Sequence, residues 1–165
     1  MSFKTSQNGV NLIKSFEGCY TRAYWDKWGK VWTIGYGHTG KDVYSGLVIS
    51  EQQAENLLKQ DLKRFEGYVN NRKYVPQKLN QNQFDALVSF SYNCGQGNLK
   101  KLVGKRNLSQ IANELLEYNK SKGKELKGLV RRRAAERQLF LSRQLAVPKI
   151  QKSMNLQRLI LYLIL

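Results

Sequence analysis

Apolar residues recur every three or four positions along most of the chain, which is the spacing of the buried face of a helix. The first such series predicts a short helix that begins behind the N-cap residues Ser6 and Asn8 and runs to about Phe16. Gly18 then interrupts the series. Within residues 20–36 the pattern changes to aromatic and β-branched residues around a turn, which predicts a hairpin or a small antiparallel sheet.

Four further helices are expected after this sheet. Residues 50–53 (Ser-Glu-Gln-Gln) have the form of a capping box, so a long helix should begin there and end near Gly67. Another should begin at about Asn80 and stop at Asn93-Cys94-Gly95, where glycine occupies a C-cap position. The last two are expected from about 109 to 118 and from about 126 to 141. A small sheet near the N-terminus followed by a helical majority predicts an α+β fold.

Length and composition limit the kinds of site that the chain can build. Its 165 residues fit one domain, or one domain with two small lobes. The single histidine, His38, argues against a histidine-built metal site. Two cysteines, Cys19 and Cys94, allow at most one disulfide, which excludes a disulfide-stapled scaffold. A pair of free thiols and a single disulfide both remain open.

No segment of the sequence has the character of a secretion signal or a membrane span. The N-terminus lacks a basic stretch followed by an apolar one. The longest apolar run, 156–165, has ten residues and contains Gln157 and Arg158, whereas a helix needs about 20 apolar residues to cross a bilayer. We therefore expect the protein to be made in the cytoplasm without a signal peptide.

The charge predicts an anionic partner. Lys and Arg number 28 against 12 Asp and Glu, a formal net charge of +16. Nucleic acid, a membrane surface and the acidic polymers of a bacterial wall would all fit this charge. No helix-turn-helix or RNP motif is present, which argues against nucleic acid. The composition changes at residue 143, so that residues 1–142 form one domain and 143–165 a basic and apolar tail of unknown role.

Two of the scarce carboxylates occupy positions that suit acid–base chemistry. Glu17 lies at the end of the first predicted helix, Asp26 at the hairpin turn, and Thr33 on the returning strand. A helix end beside a twisted sheet forms a groove, and carboxylates on its two walls can divide the work of acetal hydrolysis between a proton donor and an ionised partner. On spacing alone, a helix cap and a turn aspartate explain the same residues.

Three sequence segments resemble signatures of the phage-type lysozymes, the endolysin muramidase family that includes the T-even phage enzyme. The first comprises residues 12–18, 24–26 and 32–39, the second residues 82–95 and the third residues 128–136. They occur in the family's order, and together the resemblance covers residues 8–142. It implies a lysozyme-like fold with a cleft between two lobes.

The resemblance also implies an activity, that of a glycoside hydrolase that needs no metal or cofactor. The family cuts the β-1,4 bond between N-acetylmuramic acid and N-acetylglucosamine in bacterial peptidoglycan, which lyses the cell. By position, Glu17 matches the general acid, Asp26 the carboxylate that positions the attacking water, and Thr33 the threonine that helps to hold this water. Six residues separate Asp26 from Thr33 where the family has five, and we place the extra residue in the turn at 28–30.

Further residues receive roles from the same resemblance. We assign Gly35, Tyr36 and Asn93 to substrate binding, although Gly35 also fits a structural turn glycine. His38 should form a structural ion pair with Asp61 and take no part in catalysis. For the three arginines 131–133, the expected arrangement is a solvated face. The alternative is that one of them faces the cleft, where it would pair with Glu17 or orient substrate peptides.

The enzyme interpretation implies that the protein acts as a monomer on the cell wall after release from the host bacterium. Peptidoglycan is then its partner, and an anionic wall polymer or membrane surface would account for the charge. Two alternatives differ in class. A noncatalytic cationic protein would bind the wall or disrupt membranes, and a nucleic-acid-binding domain would rest on the charge alone.

Overall fold

The computed structural model describes residues 2–143, which form five α-helices, one 3-10 turn and two antiparallel sheets. The helices are α1 (Gln7–Glu17), α2 (Glu51–Asn70), α3 (Gln81–Val103), α4 (Leu108–Glu114) and α5 (Lys127–Leu141), and the 3-10 turn is Leu115–Glu117. The strands are β1 (Tyr20–Asp26), β2 (Val31–Gly35), β3 (His38–Thr39), β4 (Lys120–Ser121) and β5 (Lys124–Glu125). The predicted α+β class is confirmed. The predicted tail lies outside the described residues beyond Arg143.

The predicted helix starts are confirmed. They could be predicted because each depends on hydrogen bonds between residues close in the sequence. The hydroxyl of Ser6 accepts from the backbone N–H of Gly9 at the start of α1. Ser50 begins α2 and Asn80 begins α3, each within a complete capping box. These bonds satisfy backbone donors that the first helical turn would otherwise leave unpaired.

The predicted end of α3 at Asn93-Cys94-Gly95 is wrong. Gly95 adopts a non-helical conformation (φ 81°, ψ 165°), but the chain then resumes its helical course to Val103. The glycine therefore marks a kink within α3 instead of a C-cap, because the following turn still buries Leu99 and Leu102 in the core.

The three-stranded sheet has the antiparallel order β1-β2-β3, and its register separates two faces. Tyr24 lies opposite Thr33, which in turn lies opposite Thr39. Residues directly opposite each other share a face, so these three side chains project to one side of the sheet. Alternation places Asp26 on the same side as Tyr24. The second face buries a small cluster of Ala23, Ile34 and Val43.

A larger core lies between the helices. α1 packs against α3 and α5, and α2 packs against both α3 and the sheet. The helical lobe and the sheet lobe therefore meet where α1 ends and β1 begins, next to Glu17. None of the helices in the described part of the chain combines the length and the apolar character that a membrane crossing requires.

Candidate active site

Two neighbouring cavities meet at Glu17 and Asn93. The first, of about 570 Å³, extends towards the sheet and α2 and is also lined by Gly37, Thr39, Gln60, Asp61, Arg64, Phe65 and Tyr92. The second, of about 730 Å³, extends towards α5 and is also lined by Ser15, Phe16, Leu126, Gly128, Leu129, Arg131 and Arg132. Because both cavities include the same two polar residues, they form a groove that continues on either side of Glu17.

Glu17 is held at this junction by a contact with α5, from a residue 115 positions later in the chain. Its side chain is 23% exposed, and its Oε1 accepts a hydrogen bond of 2.5 Å from Nη1 of Arg132. Among residues 2–143, no hydrogen bond forms to its second oxygen, Oε2. The guanidinium thus fixes one carboxylate oxygen and leaves the other able to meet a ligand in the groove.

The three arginines of α5 divide between solvent and interior. Arg131 is exposed, whereas Arg132 is 4% exposed and Arg133 is fully buried. The solvated-face interpretation is wrong for the last two because each finds buried partners. Arg132 contacts Glu17 and Glu136, and Arg133 contacts Asn93 and Glu136. Sequence reasoning assigned no role to Glu136.

Asp26 and Thr33 lie on the sheet face that borders the groove. They share this face with Thr39, which lines the first cavity. Burial raises the pKa of the Tyr24 phenol on this face, and the nearby Tyr20, Asp26 and Glu17 raise it further. Thr33 is 4% exposed, and neither it nor Asp26 lines the two cavities themselves.

The position of Asp26 is set by its own turn. Its Oδ1 accepts from the backbone N–H of Trp28 at 2.9 Å, and Asp26 lies opposite Val31 in the register. The four intervening residues form a turn in which Lys30 adopts a positive φ of 51°. The longer connection is thus accommodated between the strands. Lys122 Nζ lies 5.2 Å from the Trp28 ring, so this turn contacts the β4–β5 hairpin.

Gly35 and Tyr36 lie behind the groove instead of lining it. Both are buried, and a Cβ atom at Gly35 would lie 3.3 Å from the Cβ of Ala54 on α2. The positive φ of 64° at Gly35 allows the backbone to bend here, and the absence of a side chain lets α2 pack closely against it. The ring of Tyr36 is covered by Lys14. This placement favours a packing role for both residues, while Gly37 borders the first cavity.

His38 and Asp61 are brought together by β3 and α2. His38 Nδ1 lies 2.9 Å from Asp61 Oδ2, and its Nε2 lies 3.0 Å from Asp42 Oδ2, a second partner that the sequence did not suggest. Burial lowers the pKa of His38, but the hydrogen bonds and charges of Asp61 and Asp42 outweigh it, so the pKa is raised above its ordinary value.

Tyr92 is a groove residue that sequence reasoning left without a role. Its hydroxyl donates to the backbone oxygen of Tyr36 at 2.6 Å and so ties α3 to the sheet. Burial, followed by the charges of Glu17 and Asp61, raises the pKa of its phenol strongly. Its place one residue before Asn93, on a helix reaching the groove, was the available signal.

The cysteines are free thiols. Cys19 is exposed, and Cys94 is partly buried, with its Sγ 2.7 Å from Arg133 Nη1. In residues 2–143 there is no group of three or more His, Cys, Asp and Glu side chains arranged to hold a metal ion.

Comparisons with known proteins show which family the chain resembles. The sequence model of the family described as phage lysozyme matches residues 14–136. An endolysin of Bacillus phage B103 is 47% identical in an alignment of 161 positions that covers 90% of this chain. The chain spans 60% of that endolysin's length.

Solved structures are similar over most of the chain. The muramidase domain of SpmX from Asticaccaulis excentricus is 37% identical, with a TM-score of 0.76, over 85% of this chain and 99% of that one. An endolysin from Escherichia coli O157:H7 phage FAHEc1 is 33% identical, with a TM-score of 0.73, over 86% of this chain and 96% of that one. With its two-lobed α+β fold, its groove at Glu17 and these matches, the chain belongs to the phage lysozyme family.

Proposed function

We propose that this protein is a glycoside hydrolase that cuts the β-1,4 bond between N-acetylmuramic acid and N-acetylglucosamine in peptidoglycan. The observation that carries the proposal is the position of Glu17 where two cavities meet. A carboxyl group at such a junction has sugar-sized space on both sides. This is what cleavage within a polymer requires, because residues of the glycan must be bound before and after the scissile bond.

Glu17 acts as the general acid in this proposal. Arg132 holds Oε1, so that Oε2 carries the proton that passes to the glycosidic oxygen as the bond to the anomeric carbon breaks. Asp26, from the sheet wall, orients a water molecule for attack on the opposite side of the ring, and Thr33 assists it. Because the water displaces the leaving group directly, the β-linked substrate gives an α-configured product first.

Binding of the glycan is assigned to the groove walls. Asn93 borders both cavities, and its side chain is fixed by Arg133, which makes it the best-placed amide for a sugar N-acetyl or hydroxyl group. The cationic surface adds long-range attraction to anionic wall polymers, since the chain carries a net charge of +16. We expect this capture to weaken as salt is added.

We propose that the protein reaches the wall after release from a bacterial host, as the name endolysin given to the B103 relative suggests. Lysis of the host then follows from loss of the glycan strands. Such an enzyme would need no metal or cofactor because both the acid and the water-positioning group are side chains of the protein.

A turbidity assay on purified walls, combined with a reducing-end assay, tests the proposal. The wild-type protein should clear the suspension, and the rate of Glu17→Gln should be at least about 100-fold lower because the amide has no proton acidic enough to transfer. Glu114→Gln is the matched control, since Glu114 also pairs with an arginine, Arg106, but lines neither cavity. Equal clearing by wild type and Glu17→Gln would instead support the noncatalytic wall-binding alternative.

A further inference from the structure

Glu136 is a buried carboxylate that the proposed reaction does not use. It lies on α5 with no exposed surface. Its Oε1 accepts hydrogen bonds from Ser89 Oγ at 2.7 Å, Arg132 Nε at 3.2 Å and Arg133 Nη2 at 3.0 Å. Arg133 Nε lies 2.8 Å from Oε2, close enough for an ion pair but without hydrogen-bond alignment. Burial raises the pKa of Glu136, and the two guanidinium groups oppose that effect.

The two arginines that meet at Glu136 lead to different groups in the groove. Arg132 bonds Glu136 through Nε and Glu17 through Nη1, so one planar guanidinium bridges the two carboxylates. Arg133 bonds Glu136 and, through Nη1 and Nη2, reaches Cys94 Sγ at 2.7 Å and Asn93 Oδ1 at 2.8 Å. A single carboxylate therefore lies behind both polar residues that the two cavities share.

We propose that Glu136 is a positioning residue that orients Glu17 through Arg132 and Asn93 through Arg133. This rests on the proposed function, in which Glu17 is the general acid. Arginine side chains have many rotamers, and a guanidinium that is held along one edge presents its remaining N–H groups in fixed directions. Without that anchor, the carboxyl of Glu17 would lose its defined direction, and a displacement of about 1 Å at a reacting group costs on the order of 100-fold in rate.

The proposal predicts that the contacts through Arg132 and those through Arg133 affect different kinetic constants. Arg132→Lys should lower kcat because it disturbs the general acid. Arg133→Lys should mainly raise KM because it disturbs Asn93. Glu136→Asp should do both: it keeps the negative charge but withdraws the carboxylate by one methylene group. We expect its kcat to fall about 10- to 100-fold.

Steady-state kinetics on a soluble, uncrosslinked glycan strand test this, with rates normalised to the folded fraction from thermal melting. Glu114→Gln is the control and should stay within about twofold of wild type. If Glu136→Asp keeps the wild-type kcat and KM, the positioning role is overturned, because a residue that only balances buried charge would tolerate that change.

A double-mutant cycle gives a second readout. Glu136→Gln should lower kcat by far less in an Arg132→Met background than in the wild type, because the path to Glu17 is already broken. Full additivity overturns the proposal. If Glu136→Gln does not fold, Glu136→Asp decides alone. Failure of the proposed function is distinguishable, since Glu17→Gln would then remain active in the same assay or the wild type would release no reducing ends.

Discussion

The two carboxylates proposed for catalysis are held in opposite ways. Glu17, on the helical wall, depends on Arg132, which is 115 residues away in the chain and is itself anchored to the buried Glu136. Asp26, on the sheet wall, is held by a backbone N–H only two residues away. One group is positioned by the tertiary structure and the other by a local turn. The difference suggests that the acid depends on the integrity of the core, whereas the water-positioning group depends on turn geometry.

The largest effect on the sheet wall is expected from Asp26→Asn. Asparagine can still accept from the N–H of Trp28, so the turn should keep its shape while the negative charge is lost. We expect the rate on soluble glycan to fall about 100-fold or more, with an unchanged melting temperature. A variant that keeps more than a tenth of the wild-type rate would show that the charge of Asp26 is not needed for water attack.

A smaller effect, on stability, should distinguish the two aspartates that contact His38. Asp61 is 28% exposed and Asp42 is 64% exposed. Asp61→Asn should lower the free energy of unfolding by about 1–3 kcal/mol because it removes a shielded charged hydrogen bond. Asp42→Asn, the matched control, should cost less than about 1 kcal/mol because water screens its contact. Urea titration measures both, and equal losses would contradict the distinction.

The smallest effect is a pH dependence that arises from His38. Its pKa is raised in the folded protein, so its contribution to stability is complete below the unfolded value of about 6.5 and is lost as the pH rises through the folded value. The wild-type free energy of unfolding should therefore decline relative to that of His38→Asn as the pH rises above about 6.5, and this decline should end once the pH exceeds the folded pKa. If the free energies of unfolding of the two proteins change in parallel with pH, folding does not raise the pKa of His38.

The same contrast explains what the sequence could predict. The capping boxes at Ser50 and Asn80 and the hairpin around Asp26 depend on residues within a few positions, and their patterns are visible in the chain. The connection from Glu17 to Arg132 and Glu136 joins two distant segments, and no local pattern distinguishes a buried arginine from a solvated one. Family resemblance supplied Glu17 and Asp26. The pairing of an arginine of 131–133 with Glu17 was only an alternative to a solvated face, and Glu136 was given no role.

Two other differences have physical causes of the same kind. Glycine commonly ends a helix, but after Gly95 the core contacts of the next turn outweigh this preference and the helix continues. Gly35 and Tyr36 belong to a motif near the groove, but packing against Ala54 and the cover provided by Lys14 direct them away from it. Local sequence therefore predicts which segment approaches the groove better than which side chain enters it.

The most direct test of the account is the chemical identity of the new reducing ends in digested peptidoglycan. The digest is reduced with borohydride, hydrolysed, and separated so that the labelled amino sugar alcohol can be identified by mass spectrometry. The account predicts that N-acetylmuramic acid carries the new reducing ends and that their release stops in Glu17→Gln. New ends on N-acetylglucosamine, or clearing of walls with no new reducing ends, would contradict it.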